Sequence, residues 1–196
     1  DKTGVAVKTI CADYFMEAPL HSKDQNIAKQ SLVILTKLLN NAFQLNVTDV
    51  VIPCVDQSSL SDQSTADLFV KQLTSTVELA EKYSINLSLE TDLDPTSFVE
   101  LLDRFDSMHV TVNYDIGNSA ALGYDPVEEL TAYGSRISDI HIKDRLRNGC
   151  PVRLGGGDAQ FGRFFKKLAG LDYQGPLIMQ AYRDDEGVEI FRQQLD

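Results

Sequence analysis

Short apolar, β-branched runs alternate along the chain with longer segments whose apolar residues recur at helical spacing. The short runs predict buried strands, and the longer segments predict the helices between them. The predicted strands cover residues 5–12, 49–55, 85–90, 108–115, 137–143 and 176–181. Strands and helices in strict alternation indicate parallel strands joined by crossover helices, in either an open sheet or a barrel.

The number of these βα units favours the barrel. No glycine-rich phosphate fingerprint follows the first strand, which disfavours the open sheet that binds dinucleotides. An eight-unit TIM barrel uses roughly 250 residues, so a chain of 196 residues corresponds to about six units. We therefore predict one α/β domain over residues 1–196, a TIM (β/α)8-type barrel that lacks its first two units in this chain.

Local signals mark where individual elements begin. The Asp-Pro pairs at 94–95 and 125–126 predict an N-cap followed by a first-turn proline. Residues 64–67 have the form of a capping box, and Asp158 is a candidate cap for the helix after it. Pro53 would normally restrict the second strand to a sheet edge or an irregular end.

Composition and charge narrow the function classes. The formal net charge of −11 repels phosphate backbones, so we expect no nucleic-acid partner. No apolar run approaches the ~20 residues of a membrane helix, and the N-terminus has no secretory pattern. Three cysteines argue for a reducing compartment and against a disulfide scaffold. We expect a cytoplasmic protein that does not bind membranes.

Polar side chains alternate with apolar ones along the later strands and end at the strands' carboxyl termini. The last polar residues are Glu90, Asp115, His141 and Gln180. Because parallel barrel strands end on one rim, these four side chains should converge there. Two carboxylates, an imidazole and an amide oxygen suit Mn²⁺, Mg²⁺, Co²⁺ or Zn²⁺. The alternative is a hydrogen-bonded polar core in which His141 pairs with Asp115 and no metal binds.

Several of these residues lie in segments that resemble the sugar-phosphate isomerase/epimerase family of the xylose-isomerase-like TIM barrel superfamily. The segments are residues 10–16, 89–93, 113–118, 139–145, 154–158 and 176–183. The resemblance covers nearly the whole chain and begins at what would be the third strand. It therefore implies, like the unit count, that two N-terminal units are absent from this sequence.

The resemblance implies a ligand set for one divalent cation. Glu90, Asp115 and His141 match the family's ligands position by position. Gln180 stands where the family has a second Glu, so the site has one negative charge fewer and lacks a second base. Glu90 would then be the catalytic base, moving a proton between adjacent carbons on one face of the sugar.

The resemblance also implies that His141, Lys143 and Arg145 face substrate oxygens or a phosphate. We further expect Asn118, and Asp13 near the end of the first strand, to contact the substrate. An ion pair among residues 143–145 is the alternative for the two cations, and a surface cap is the alternative for Asp13. The three consecutive glycines that begin at Gly155 could offer N–H groups to a phosphate or could form a plain flexible loop.

The implied activity is a metal-dependent isomerase or epimerase that acts on a sugar or sugar phosphate through an enediolate, in a monomer or a homo-oligomer. One alternative is a non-catalytic sugar- or metal-binding barrel, since missing strands would expose sheet edges. Another is a keto-inositol dehydratase-like lyase. The superfamily also includes DNA-repair endonucleases, which use several metals and many histidines. This chain has only three histidines and an acidic balance, which disfavours that activity.

Overall fold

The computed structural model describes residues 4–180 and 188–195. The strands are β1 (Thr9–Cys11), β2 (Asp49–Cys54), β3 (Asn86–Thr91), β4 (Val110–Asp115), β5 (Ile137–Ile142), β6 (Asp144–Arg145), β7 (Pro151–Val152) and β8 (Leu177–Met179). The α-helices are α1 (Tyr14–Glu17), α2 (Gln25–Gln44), α3 (Gln63–Tyr83), α4 (Pro95–Leu102), α5 (Ile116–Leu122), α6 (Pro126–Tyr133), α7 (Phe161–Leu168) and α8 (Val188–Leu195).

Six strands form one sheet in the order β1-β2-β3-β4-β5-β8, which is their order along the chain. The pairs β1–β2, β2–β3, β3–β4 and β5–β8 are parallel. Helices lie between consecutive strands of this sheet, so the predicted parallel α/β fold is confirmed. The short strands β6 and β7 form a separate antiparallel pair that the sequence pattern did not predict.

The chain divides into two compact units, residues 1–112 and 113–196. The first unit has a core of fully buried aromatic and aliphatic side chains from α1, α2, α3 and β3, such as Phe15, Leu35, Phe69 and Leu87. In the second unit the ring of Tyr114 stacks on Phe164 at 5.1 Å. The single domain over residues 1–196 stays a prediction.

Pro53 lies inside β2 without weakening the sheet. The carbonyl of Val51 accepts a hydrogen bond from the N–H of Ala12, so alternate residues of β2 face β1. Pro53 is next on that side, where β1 has already ended, and its carbonyl accepts from Ser58 Oγ at 3.0 Å. The missing N–H therefore leaves no partner unsatisfied, and β2 lies between β1 and β3 and not at an edge.

Two predicted element starts are wrong. The first strand begins at Thr9 and not at Val5, because pairing with β2 begins at Thr9; Val5 is 75% exposed. Helix α7 begins after Gln160, and the Asp158 carboxylate accepts instead from the backbone N–H of Arg147.

Other helix starts follow the sequence signals more closely. Asp94 and Asp125 cap α4 and α6 as predicted, with a proline in each first turn. The capping box of α3 is real but begins at Asp62, which exchanges hydrogen bonds with Thr65. Among the described residues, no helix is both long and apolar enough to cross a bilayer.

His21 makes the stability of the fold depend on pH. Its ring packs edge-on against Phe69 at 5.9 Å, and burial lowers the pKa of His21 below its ordinary value. The unfolded chain then binds a proton more readily than the folded chain below pH about 6.5. We expect the free energy of unfolding to fall on acidification from pH about 7.5 to 5.5, and to fall less in His21→Gln. Urea titrations at both pH values measure the difference; parallel losses in the two proteins would contradict it.

Candidate metal centre

Asp115 links the end of β4 to the start of α5. Its Oδ1 accepts a hydrogen bond from the backbone N–H of Asn118 at 2.8 Å and so caps the helix. Its Oδ2 lies 3.2 Å from Lys143 Nζ and 3.8 Å from His141 Nδ1. One buried carboxylate therefore starts a helix with one oxygen and faces two basic side chains with the other.

The pKa of Asp115 is below its usual range. Burial acts to raise it, but the contacts with His141 and Lys143 and the hydrogen bond from Asn118 outweigh burial. The carboxylate is therefore anionic at neutral pH, as a metal ligand must be.

Gln180 follows β8 directly. Its backbone N–H donates to the carbonyl of Ile142 at 2.9 Å, next to the end of β5 that carries His141. The side-chain Oε1 of Gln180 is buried and has no hydrogen-bond partner in the part of the chain that the structure describes. A buried amide oxygen of this kind is costly to leave unpaired, so it has acceptor capacity for a cation or a ligand.

Glu90 is the last residue of β3 before Thr91 and is 7% exposed. Glu90, Asp115 and His141 each offer one ligand atom, and these atoms lie within 4.8 Å of one another. Donors placed 2.0–2.3 Å from one ion are up to about 4.5 Å apart, so the spacing is close to that of a coordination shell. Their role as ligands, with Gln180 as the fourth, stays a prediction.

Asn118 holds the two cations that follow β5. Its Oδ1 accepts from Lys143 Nζ at 3.2 Å and from Arg145 Nη1 at 2.9 Å. A side chain on Gly117 would come within 2.7 Å of Lys143 Cγ, so glycine there leaves room for the lysine stem. Arg145 also donates through Nε and Nη2 to the carbonyl of Gly149. Lys143 is therefore the cation that pairs with Asp115, whereas Arg145 donates mainly to the carbonyl of Gly149 in the turn that follows it.

Internal hydrogen bonds hold the glycine loop, for which the sequence offered a phosphate-binding loop or a plain flexible loop. Gly155 and Gly157 each donate a backbone N–H to Asp144 Oδ2 at 2.9 Å, and Ala159 donates to Oδ1 at 3.1 Å. These N–H groups bind the buried carboxylate of Asp144, whereas one alternative from the sequence was that they would bind a phosphate. Asp144 therefore anchors the glycine loop. In the described part of the chain Lys143 forms an ion pair with Asp115, and no ion pair joins Lys143 or Arg145 to Asp144.

Asp13 lies at the N-cap position of α1, but its side chain makes no capping bond. It is exposed and accepts a hydrogen bond from Cys11 Sγ at 3.2 Å. Neither observation tests contact with a substrate, so that role stays a prediction.

Two buried polar residues had no role in the sequence analysis. Asn113 lies on the inward side of β4, two residues before Asp115, and both polar atoms of its carboxamide lack partners among the described residues. Glu129 lies in the first turn of α6 and is 3% exposed. The strand alternation marks the face of Asn113, whereas a glutamate in a helix's first turn normally signals a solvated position.

Comparison with known proteins places the fold in a family. The family described as xylose isomerase-like TIM barrel matches residues 1–196. A putative L-ribulose-5-phosphate 3-epimerase, SgbU of Haemophilus influenzae, is 26% identical over 93% of this chain and 68% of its own length. The relatives thus include sugar-phosphate epimerases.

Two solved structures have the same fold. A D-tagatose 3-epimerase-like protein aligns with a TM-score of 0.78 and 23% identity, over 100% of this chain and 79% of its own. A xylose isomerase-like TIM barrel protein from Mycobacterium smegmatis, in complex with magnesium, aligns with a TM-score of 0.77 and 20% identity. That alignment covers 98% of this chain and 72% of the other.

Replacing Asp144 should unfold or loosen the glycine loop. Asp144→Ala removes the acceptor of three backbone N–H groups, and we expect it to lower the free energy of unfolding by about 2–4 kcal/mol. Asp158→Ala is the matched control, because this exposed carboxylate accepts one backbone N–H and should cost about 1 kcal/mol or less. Urea denaturation measures both; equal losses would contradict the anchoring role.

Proposed function

The chain belongs to the xylose isomerase-like TIM barrel family, and we propose that it is a divalent-metal-dependent isomerase or epimerase of a sugar or sugar phosphate. The observation that carries the proposal is the buried grouping of Glu90, Asp115 and His141. Two carboxylates and an imidazole with ligand atoms this close together form a donor set that one divalent cation could use. The sugar epimerases among the relatives support the substrate class.

The donor set fits a divalent cation. Two carboxylates would supply two negative charges and a neutral imidazole would supply nitrogen. The Oε1 of Gln180, which has no hydrogen-bond partner among the described residues, would supply a fourth donor. Oxygen-rich mixed ligands of this kind suit Mn²⁺, Co²⁺, Mg²⁺ or Zn²⁺. When bound, the cation would polarise the sugar's carbonyl and favour loss of a proton from the neighbouring carbon.

Lys143 would bind a substrate oxygen. Its side chain is 16% exposed, and its ammonium donates to Asp115 Oδ2 and Asn118 Oδ1, both at 3.2 Å. A cation oriented in this way can donate a hydrogen bond to an oxygen that gains negative charge as the enediolate forms. Asn118 would orient Lys143, and the contacts of Arg145 to Asn118 and Gly149 would hold that arrangement in place.

Glu90 would move the proton. We assign this role to Glu90 because the other carboxylate, Asp115, accepts hydrogen bonds from the N–H of Asn118 and from Lys143. Gln180 has no ionisable group and cannot act as a second base. Glu90 would take a proton from the hydroxyl-bearing carbon beside the carbonyl and return it to the former carbonyl carbon, while the hydroxyl proton passes to the former carbonyl oxygen, which gives the isomer. Return of the proton to the same carbon on the opposite face of a reoriented enediolate would give the epimer.

Solvent exchange tests the proposed chemistry. The complete protein loaded with Mn²⁺ should incorporate deuterium from D₂O beside the carbonyl of at least one sugar in a panel of ketoses and ketose phosphates. Glu90→Gln should slow this exchange by about 10²–10⁴-fold, because a positioned base contributes that much. Glu100→Gln, an exposed change on α4, is the matched control and should exchange like the parent. Exchange in no sugar, or equal rates in Glu90→Gln and the parent, would contradict the proposal.

Metal affinity tests the fourth ligand separately. Gln180→Glu should bind Mn²⁺ more tightly, because it adds a negative charge to the donor set, and Gln180→Ala should bind it several-fold more weakly. Titration of the metal-free protein, followed by the electron paramagnetic resonance of free Mn²⁺, measures both changes. Affinities that are the same in the two variants and the parent would remove Gln180 from the ligand set.

A further inference from the structure

The carboxylate of Glu129 lies at the centre of a buried hydroxyl cluster in the second unit. Tyr114 Oη donates to Glu129 Oε2 at 2.6 Å, and Ser119 Oγ donates to the same oxygen. Tyr133 Oη donates to Oε1 at 2.9 Å. A further hydrogen bond at 3.2 Å joins the Tyr114 hydroxyl to Ser119 Oγ. The proposed reaction uses none of these four residues.

Two of these partners lie on either side of the segment that holds the candidate site. Tyr114 immediately precedes Asp115 at the end of β4, and Ser119 immediately follows Asn118 in α5. Both donate to one oxygen of Glu129, so a single group on α6 holds both ends of the turn over residues 115–118. Tyr133 differs, since it lies one turn after Glu129 on the same helix and its hydroxyl donates to the other carboxylate oxygen, Oε1.

A buried carboxylate is a costly way to fill a core. Burial raises the pKa of Glu129, and its three hydroxyl donors only partly oppose this. Apolar side chains of similar volume would often stabilise the same space better. Three directed hydrogen bonds, by contrast, fix the mutual position of the backbone segments that donate them.

We infer that Glu129 is a positioning residue, which orients Asp115 and Asn118 by holding Tyr114 and Ser119 at the two ends of their turn. This role concerns the geometry of Asp115. It rests on the proposed function only in the test that measures metal affinity. The relevant chemical class of ligand is therefore the divalent cation that Asp115 would bind.

Two tyrosine variants separate positioning from packing. Tyr114→Phe and Tyr133→Phe each remove one phenol hydroxyl from Glu129, but only Tyr114 is attached to the turn. The experiment uses the complete protein and measures thermal stability, the Mn²⁺ dissociation constant, and hydrogen exchange of the Asn118 amide, which donates to Asp115. Ser119→Ala is a second test of the turn that removes less volume.

Tyr114→Phe and Ser119→Ala should speed exchange of the Asn118 amide and raise the Mn²⁺ dissociation constant by about tenfold, in the range seen when a ligand's supporting contacts are removed. Tyr133→Phe should lower thermal stability about as much as Tyr114→Phe does. It should leave the exchange rate of the Asn118 amide and the Mn²⁺ dissociation constant within twofold of the parent. Equal effects of the two tyrosine variants, or unchanged Asn118 exchange in Tyr114→Phe, would overturn the inference. If the parent binds no Mn²⁺, the proposed function fails, and Asn118 exchange still decides this inference.

Discussion

A buried carboxylate at the end of a strand must be neutralised, and the way Asp115 meets this requirement organises the second unit. One oxygen accepts the first-turn N–H of α5, and the other faces Lys143 and His141. These contacts keep its pKa low in spite of burial. The helix start and the position of the lysine thus both depend on one side chain, which also lies 3.8 Å from the imidazole. Its ionised state is also what a divalent cation requires.

The same solution recurs in the loop after β5. Asp144 satisfies three backbone N–H groups of the glycine loop, so an internal anion takes the position that an external phosphate could have taken. The structure therefore uses carboxylates to shape the loops at the strand ends, and Glu129 extends this use to the helix layer. Recognition of any phosphate on the substrate would have to come from groups other than these N–H donors.

Periodicity predicted the parts of the fold that depend on burial. The strands follow from which residues are apolar, and the helix starts at 94–95 and 125–126 follow from the capping chemistry of Asp-Pro. The ligand atoms of Glu90, Asp115 and His141 lie within 4.8 Å of one another. The first strand is shorter than predicted because apolar character does not supply a neighbouring strand. The roles of Asp144 and Glu129 could not be predicted, because each depends on contacts between residues that are distant in sequence.

Anomalous diffraction from crystals of the complete protein grown with Mn²⁺ would show whether these strand ends hold a divalent cation. We expect one manganese peak within coordination distance of Asp115 Oδ2 and a ring nitrogen of His141, with Glu90 and Gln180 completing the ligands. Manganese bound only elsewhere, or no peak while Lys143 remains paired with Asp115, would contradict it.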